Sequence, residues 1–255
     1  MLSLPWRAEA AFLKAWPALT TVVYDDWQAR LAGGLSRRAN SVNPLTANAV
    51  LTDTGLGFFE HVFRNQNLPL IVRVPTLLGG DPDAALDRSG FTREGDCLVL
   101  HSALEAIATQ SESAVTIADE ASRAWFDAIH AAQDRPAVQR ATYEVMIGAI
   151  ALPSGFAMLC ENDEPVALAY VAIDGDLMCL ESVVTAASHR GKGYARRLTI
   201  ALLHWAKAKG AAQVCLQVEA TNNPALTLYR KLGIGQELYR YHYRRQHGAL
   251  RTGDA

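Results

Sequence analysis

One stretch constrains this chain more than any other: Leu180 to Lys209, LESVVTAASHRGKGYARRLTIALLHWAKAK. Val183-Val184-Thr185 is a β-branched run that predicts a strand. A short loop, Ala186 to His189, leads to Arg190-Gly191-Lys192-Gly193-Tyr194-Ala195. That segment opens an amphipathic helix with Leu198, Ala201, Leu202 and Trp205 on one face. A strand feeding a glycine-rich turn at a helix start makes an anion site, because the first amides of a helix lack internal partners and point outward. Gly191 and Gly193 let a phosphate approach the backbone without a Cβ in the way. One exposed helix start contributes only about 0.3–1 kcal/mol toward an anion. Several amides, with Arg190, Lys192 and Arg196, must therefore combine to hold a diphosphate.

Two common phosphate motifs fail here. A P-loop needs glycine where Ala186 stands and Ser or Thr where Gly193 follows Lys192. A dinucleotide fingerprint needs a third glycine where Arg196 stands, although Glu219 lies near the expected distance for its acid. What remains is Arg-x-x-Gly-x-Ala, Arg190 to Ala195, after a Val-x-x strand. Downstream, Val214 to Val218 predicts a strand. Next comes Asn222-Asn223-Pro224-Ala225-Leu226-Thr227-Leu228-Tyr229-Arg230-Lys231-Leu232-Gly233-Ile234. Together these resemble the two signatures of the GNAT superfamily of acyl-CoA-dependent N-acyltransferases, with Ile234 in place of the usual Phe. The element order agrees: helices at Ala121–Gln133 and Pro136–Ala149, then strands at Phe156–Cys160, Val166–Ile173 and Leu177–Thr185 joined by tight turns. The resemblance implies a GNAT fold, an α/β (α+β) arrangement with a mixed, mostly antiparallel sheet flanked by helices.

The first half is less explicit. The N-terminal residues predict a helix that Pro17 ends, then a hairpin turning at Asp25-Asp26, a helix over Gly55–Asn67 and a strand over Leu70–Val74. Asp81 to Phe91 followed by a strand at Asp96–Leu100 echoes the Pro224–Ile234 pattern, a weak internal repeat. The reading is two tandem GNAT-like units: a diverged N-terminal domain, 1–112, and an acetyltransferase domain, 113–255, joined through the polar, small-residue stretch Gln110–Ser122. Leu86 stands where the second half has Tyr229 and cannot donate a proton, so the first half is expected to do no chemistry of its own. Arg37-Arg38-Ala39-Asn40-Ser41-Val42-Asn43-Pro44 reads as a solvated loop from its polarity. Its similarity, with Trp27-x-x-Arg30 and Gly33-Gly34, to the opening of bacterial two-part GNAT proteins implies instead that Arg30, Arg37 and Arg38 present guanidinium groups to an acidic acceptor.

Composition sets the outer bounds. A net charge of -2 gives no general attraction to nucleic acid or anionic membrane. The alternating Tyr239 to Arg245 run therefore reads as an exposed final strand. No apolar run approaches the ~20 residues needed to span a bilayer. Cys97, Cys160, Cys179 and Cys215 sit in strand-like runs at no metal-ligand spacing, so reduced thiols in a cytoplasm and no metal are expected.

The chemistry implied by the resemblance assigns roles. The backbone at Val183, Val184 and Thr185 pairs with the pantetheine arm of acetyl-CoA, and Arg190, Gly191, Lys192, Gly193, Tyr194, Ala195 and Arg196 cradle its diphosphate. Tyr229 is the acid that meets the departing thiolate. Asn222 either contacts the cofactor or caps its own helix. Glu181, the one carboxylate on the cofactor strand, is either a base acting directly or through water, or a strand-end charge in solvent. An α-amine near pKa 7.8 is about one part in seven neutral at pH 7 and needs little base. A lysine-like amine near about 10.4 needs much more. The expected function is acetyl-CoA-dependent N-acetylation of a small-molecule primary amine, such as an amino acid or analogue. Acetylation of a protein N-terminus or lysine, and non-catalytic acyl-CoA sensing, stand as alternatives. A homodimer is compatible with the sequence.

Overall fold

The computed structural model describes residues 2–107 and 115–246. The described elements begin with α1 (Leu4–Ala15), β1 (Thr20–Tyr24), β2 (Trp27–Leu31), β3 (Ser41–Pro44), α2 (Asp53–Asn65), β4 (Ile71–Pro75), α3 (Asp83–Arg88) and β5 (Phe91–Ala103). They continue with β6 (Val115–Ala118), α4 (Arg123–Ala132), α5 (Ala137–Gly148), β7 (Ser154–Glu161), β8 (Glu164–Asp174), β9 (Leu177–Thr185), α6 (Tyr194–Ala208), β10 (Gln213–Glu219), α7 (Asn223–Lys231) and β11 (Gln236–Gln246). Helix starts follow local chemistry: Thr52 caps α2 through the Gly55 amide and Ser122 caps α4 through the Trp125 amide.

The chain divides into two compact units, each drawn from several segments. The first holds residues up to Pro17, Val99–Val218 and Asn222–Leu238. The second holds Ala18–Leu98, Glu219–Thr221 and the chain from Tyr239 on. The division points fall inside β5 and near the start of β11. The expected sequence boundary at 112/113 lies outside the described residues.

In the first unit the strand order is β5-β10-β9-β8-β7-β6. Strands β7, β8 and β9 form the expected antiparallel meander, and β10 joins β9 in parallel. Helix α6 lies against β7, β8 and β9. Its half-buried Trp205 sits on Gly155, where a Cβ would come within 3.0 Å of the indole. On the core side, Trp125 meets Phe156 and Tyr170 edge-on, its indole N–H donates to the Ala157 carbonyl at 3.1 Å, and the Tyr170 hydroxyl donates to the Ala15 carbonyl at 2.8 Å. Both buried polar tips are thus satisfied within an apolar interior. The expected linker after Gln110 is corrected in part: Val115–Ala118 is the edge strand β6, paired with β7, because Val115 and Ile117 alternate inward.

In the second unit the order is β1-β2-β3-β4-β11-β5. Trp27, Ala29, Leu31, Val42, Val72 and Val74 bury one face of this sheet with Phe59 and Phe63 of α2. Two expectations fail here. Arg37 to Pro44 is not a solvated loop: Arg37–Ala39 is a 3-10 turn, and Ser41–Pro44 is strand β3, buried throughout. Most of its polarity is met locally: Asn40 Oδ1 accepts from the Ala32 and Gly34 amides and Asn43 Nδ2 donates to the Ser41 carbonyl, while the buried Asn43 Oδ1 has no hydrogen-bond partner among the described residues. Nor is the final strand exposed. β11 pairs antiparallel with β4, Tyr241 opposite Pro75 and Arg245 opposite Ile71, and Tyr241, His242, Tyr243 and Arg244 are all buried. His242 lies 2.8 Å from Asp83, Arg244 pairs with Asp87, and Arg245 with Glu94 at 2.9 Å. The buried Arg244 guanidinium is tolerated because it meets the Asp83 and Asp87 carboxylates.

Candidate active site

The first unit builds the site from a divergence of two strands. The parallel register of β9 and β10 runs from Leu177 opposite Gln213 to Leu180 opposite Leu216 and goes no further. On its other side β9 continues along β8, with Val184 opposite Leu168 and Thr185 opposite Ala167. The register slips between Leu168 and Tyr170, and Ser182 takes a φ of 53°. One residue too many on β9 bends the strand, as a β-bulge does. Val183, Val184 and Thr185 are consequently half-buried and lack a β10 partner on one backbone edge. An edge of this kind accepts an extended ligand as a further strand. Nothing in the residue types at 181–185 signals the bulge, and the sequence reading missed Ser182.

The strand then delivers the glycine turn. A 3-10 turn, Ala187–His189, leads to Arg190, whose Nε donates to the Thr185 carbonyl at 3.4 Å. Gly191 has φ 80°, and Gly193, the residue before α6, has φ 84°. Both angles lie in the left-handed region that favours glycine. No atom lies within 4 Å of a Cβ built on either, so the turn is open on its outer side. Arg190, Lys192 and Arg196 are exposed, Ala195 is half-buried, and Tyr194 is buried with its phenol hydrogen-bonded to Glu161. The first turn of α6 carries no acidic residue. Free amides, helix dipole and three cations therefore act in one direction, toward an anion.

Tyr229 and Glu181, the two expected proton-handling groups, come together in this unit. Tyr229 on α7 is 7% exposed and Glu181 on β9 is 3% exposed. Burial first, and the nearby Glu181 carboxylate second, push the Tyr229 phenol above its ordinary range. It stays protonated throughout the physiological range. Glu181 is not a strand-end charge in solvent. Asn222 acts as a cap: its Oδ1 accepts from the Ala225 amide at 3.2 Å.

The family model described as "Probable histone acetyltransferase Rv0428c C-terminal" matches residues 6–245. The chain belongs to this family. It is an N-acetyltransferase of the GNAT superfamily. "Uncharacterized N-acetyltransferase YobR" of Bacillus subtilis is 26% identical over 246 residues, which cover 93% of this chain and 97% of the relative. "Streptothricin acetyltransferase" of Escherichia coli is 35% identical over 74 residues, 28% of this chain and 42% of that protein. Among solved structures, a GCN5-related N-acetyltransferase from Kribbella flavida aligns over 97% of both chains with a TM-score of 0.72 at 17% identity. A tandem GNAT protein of the clavulanic acid pathway covers 75% of this chain and 69% of its own, with a TM-score of 0.55 at 13% identity. The GNAT fold expected from the two signatures is thus the fold present.

In this Rv0428c-type acetyltransferase the three expected acceptor arginines all lie in the second unit. Arg30, on β2, is 4% exposed, and its Nη1 donates to the Arg38 carbonyl at 2.7 Å. Arg37 meets Glu219 at 2.7 Å and Glu94 at 3.7 Å, and its guanidinium lies 5.0 Å from the centre of the Tyr243 ring. Arg245 first, then Arg37, hold the Glu94 carboxyl below the usual carboxylate range. Arg37 therefore has a structural employment that its exposed-looking sequence context does not suggest. Among the described residues no cluster of three or more His, Cys, Asp or Glu could hold a metal ion, and no helix is long and apolar enough to cross a membrane.

Proposed function

We propose that this acetyltransferase uses acetyl-CoA to acetylate the primary amine of a small molecule by direct attack in a ternary complex. The observation that carries the reading is the unpaired Val183–Thr185 edge running straight into an open glycine turn. Such an edge suits a pantetheine arm, and such a turn suits a diphosphate. The residues fit the co-substrate on chemical grounds: amide donors and cations for the phosphates, and a strand edge for the amide-bearing arm.

In this mechanism the amine nitrogen attacks the thioester carbonyl carbon, a C–N bond forms, and the C–S bond breaks. A strand-edge amide of β9 donates to the carbonyl oxygen as charge gathers there. Glu181 takes the amine proton, directly or through a water. The Tyr229 hydroxyl donates to the departing sulfur. Its raised pKa makes full transfer to a thiolate near about 8.5 uphill, so its first contribution is a hydrogen bond that strengthens as the C–S bond opens. The departing sulfur, held by the phenol's hydrogen bond, receives the proton collected at Glu181, and the products are an amide and a free thiol.

Arg30, Arg37 and Arg38 are proposed to favour an acceptor that carries a carboxylate. If substituting them leaves acceptor KM untouched, that part is wrong. Asn222 is proposed to add a cofactor contact to its capping role. Residues 1–112 are read as the diverged GNAT-like half and 113–255 as the catalytic half. The four free cysteines accord with a cytoplasmic setting. A second reading has one specific support: the matched family's description names a histone acetyltransferase. Thiol release from acetyl-CoA over a panel of amino acids, small amines and lysine peptides decides between these acceptors. Binding of CoA with no release over the whole panel would favour a sensor instead.

A further inference from the structure

One carboxylate lies between the two ends of the glycine turn, hydrogen-bonded at one end and 3.8 Å away at the other. Glu161 is the last residue of β7, beside the tight turn into β8. His189 stands directly before Arg190, and its Nε2 lies 3.8 Å from Glu161 Oε2. Tyr194 stands directly after Gly193 as the first residue of α6, and its phenol donates to the same carboxylate, which keeps that phenol above its ordinary range. The His189 and Tyr194 rings are 6.0 Å apart, and His189 Nδ1 lies 2.9 Å from Ser188 Oγ. The four residues Arg190 to Gly193 are therefore bracketed by two side chains that converge on one group from a separate hairpin.

The turn needs such a bracket. Two of its four residues are glycines at positive φ, and no atom packs near their Cβ positions. Glycine has the largest backbone freedom to lose, so a turn built this way does not stiffen itself. Amides that must be ordered at the moment of binding cost affinity, and amides already aimed do not.

We propose that Glu161 is a positioning residue for the acetyl donor: it clasps His189 and Tyr194 and so holds the Arg190–Gly193 amides aimed for a diphosphate. The inference rests on the acetyl-CoA reading and adds to it a residue that neither superfamily signature contains.

The sign of one measurement separates this role from a simple charge effect. A carboxylate acting on the ligand through its field would repel phosphate, so its removal would tighten binding. A clasp has the opposite consequence. Glu161→Gln and Glu161→Ala in the full chain are compared with wild type by calorimetry with CoA, and by kinetics with acetyl-CoA and S-acetyl-N-acetylcysteamine. The last is a short thioester without phosphate. The expected result is a Kd for CoA and a KM for acetyl-CoA raised about three- to tenfold in Glu161→Gln, and more in Glu161→Ala. The kcat with acetyl-CoA, and kcat/KM with the short thioester, stay within about twofold. Unchanged or tighter CoA binding overturns the clasp, and so does an equal loss with both donors, which would mean general structural damage. A wild-type chain that binds no CoA overturns the underlying reading as well. A wild-type chain that binds it, with Glu161→Gln equal to it, overturns the clasp alone.

Discussion

Replacing Gly193 with alanine isolates what the glycine turn contributes. No atom lies within 4 Å of a Cβ at this position, so the added methyl group meets no neighbour. The whole penalty is conformational, because φ is 84° and an L-residue there costs about 1–2 kcal/mol. Stiffening of the unfolded chain adds to the folded state's favour and offsets part of this, by about 0.4–1 kcal/mol. A net loss near 1 kcal/mol should lower Tm by about 2–4 °C in a chain of this size. Gly57 supplies the internal control. It too has open space around its Cβ position, but it lies inside α2 and has no positive φ. Gly57→Ala should therefore stabilise by about 0.5–1 kcal/mol. The same methyl group is expected to act with opposite sign at the two sites. Function adds a second readout. If the Gly193→Ala turn relaxes to negative φ, an amide aimed at the anion turns away, and one charge-assisted hydrogen bond worth about 1.5–3 kcal/mol is lost. The Kd for CoA, measured by calorimetry, should rise about 10- to 150-fold, while Gly57→Ala leaves it unchanged. If Gly193→Ala binds CoA as tightly as wild type, the turn is not the diphosphate site and the reasoning fails.

Tyr229→Phe should lower kcat about tenfold or more with little change in KM for acetyl-CoA, in steady-state thiol-release assays. An unchanged kcat removes the phenol from the mechanism. Gly155→Ala should destabilise by about 1–3 kcal/mol in urea titrations, because its Cβ would press on the Trp205 ring at 3.0 Å. Acid should act through His130, whose imidazole burial holds below its ordinary range against the opposing Glu144 hydrogen bond. Above about pH 6.5 both folded and unfolded chains keep it neutral; as pH falls below that, the unfolded chain binds the proton first and stability is lost. A His130→Leu variant should flatten the urea midpoint between about pH 6.5 and 5 relative to wild type. A second loss should follow at lower pH, since Arg123 first, and His130 with it, hold the Glu144 carboxyl below its ordinary range.

Much of the site was readable because its signals are local. Glycines that need positive φ, a helix stripe at Leu198 and Leu202, and a cap at Asn222 each depend on residues within one or two turns of the chain. The three-stranded meander was equally plain, since tight turns leave adjacent strands few pairings to choose from. The run from Ser41 to Pro44 was misread for a physical reason. Polarity argues for solvent only when polar atoms lack partners, and here Asn40 Oδ1 and the Asn43 amide nitrogen find theirs on neighbouring backbone.

Residue order alone determined most of the helices, the antiparallel meander, the glycine turn with its positive φ angles and the identity of the groups that could move protons, all of which arise from contacts between near neighbours. Tertiary structure decided which strands became neighbours. It set Tyr241 opposite Pro75, ended the pairing of β9 and β10 after Leu180, and brought Glu161 to both ends of the glycine turn. Partner choice between segments far apart in the chain is governed by the burial and hydrogen bonding of the finished fold, and no local periodicity encodes it.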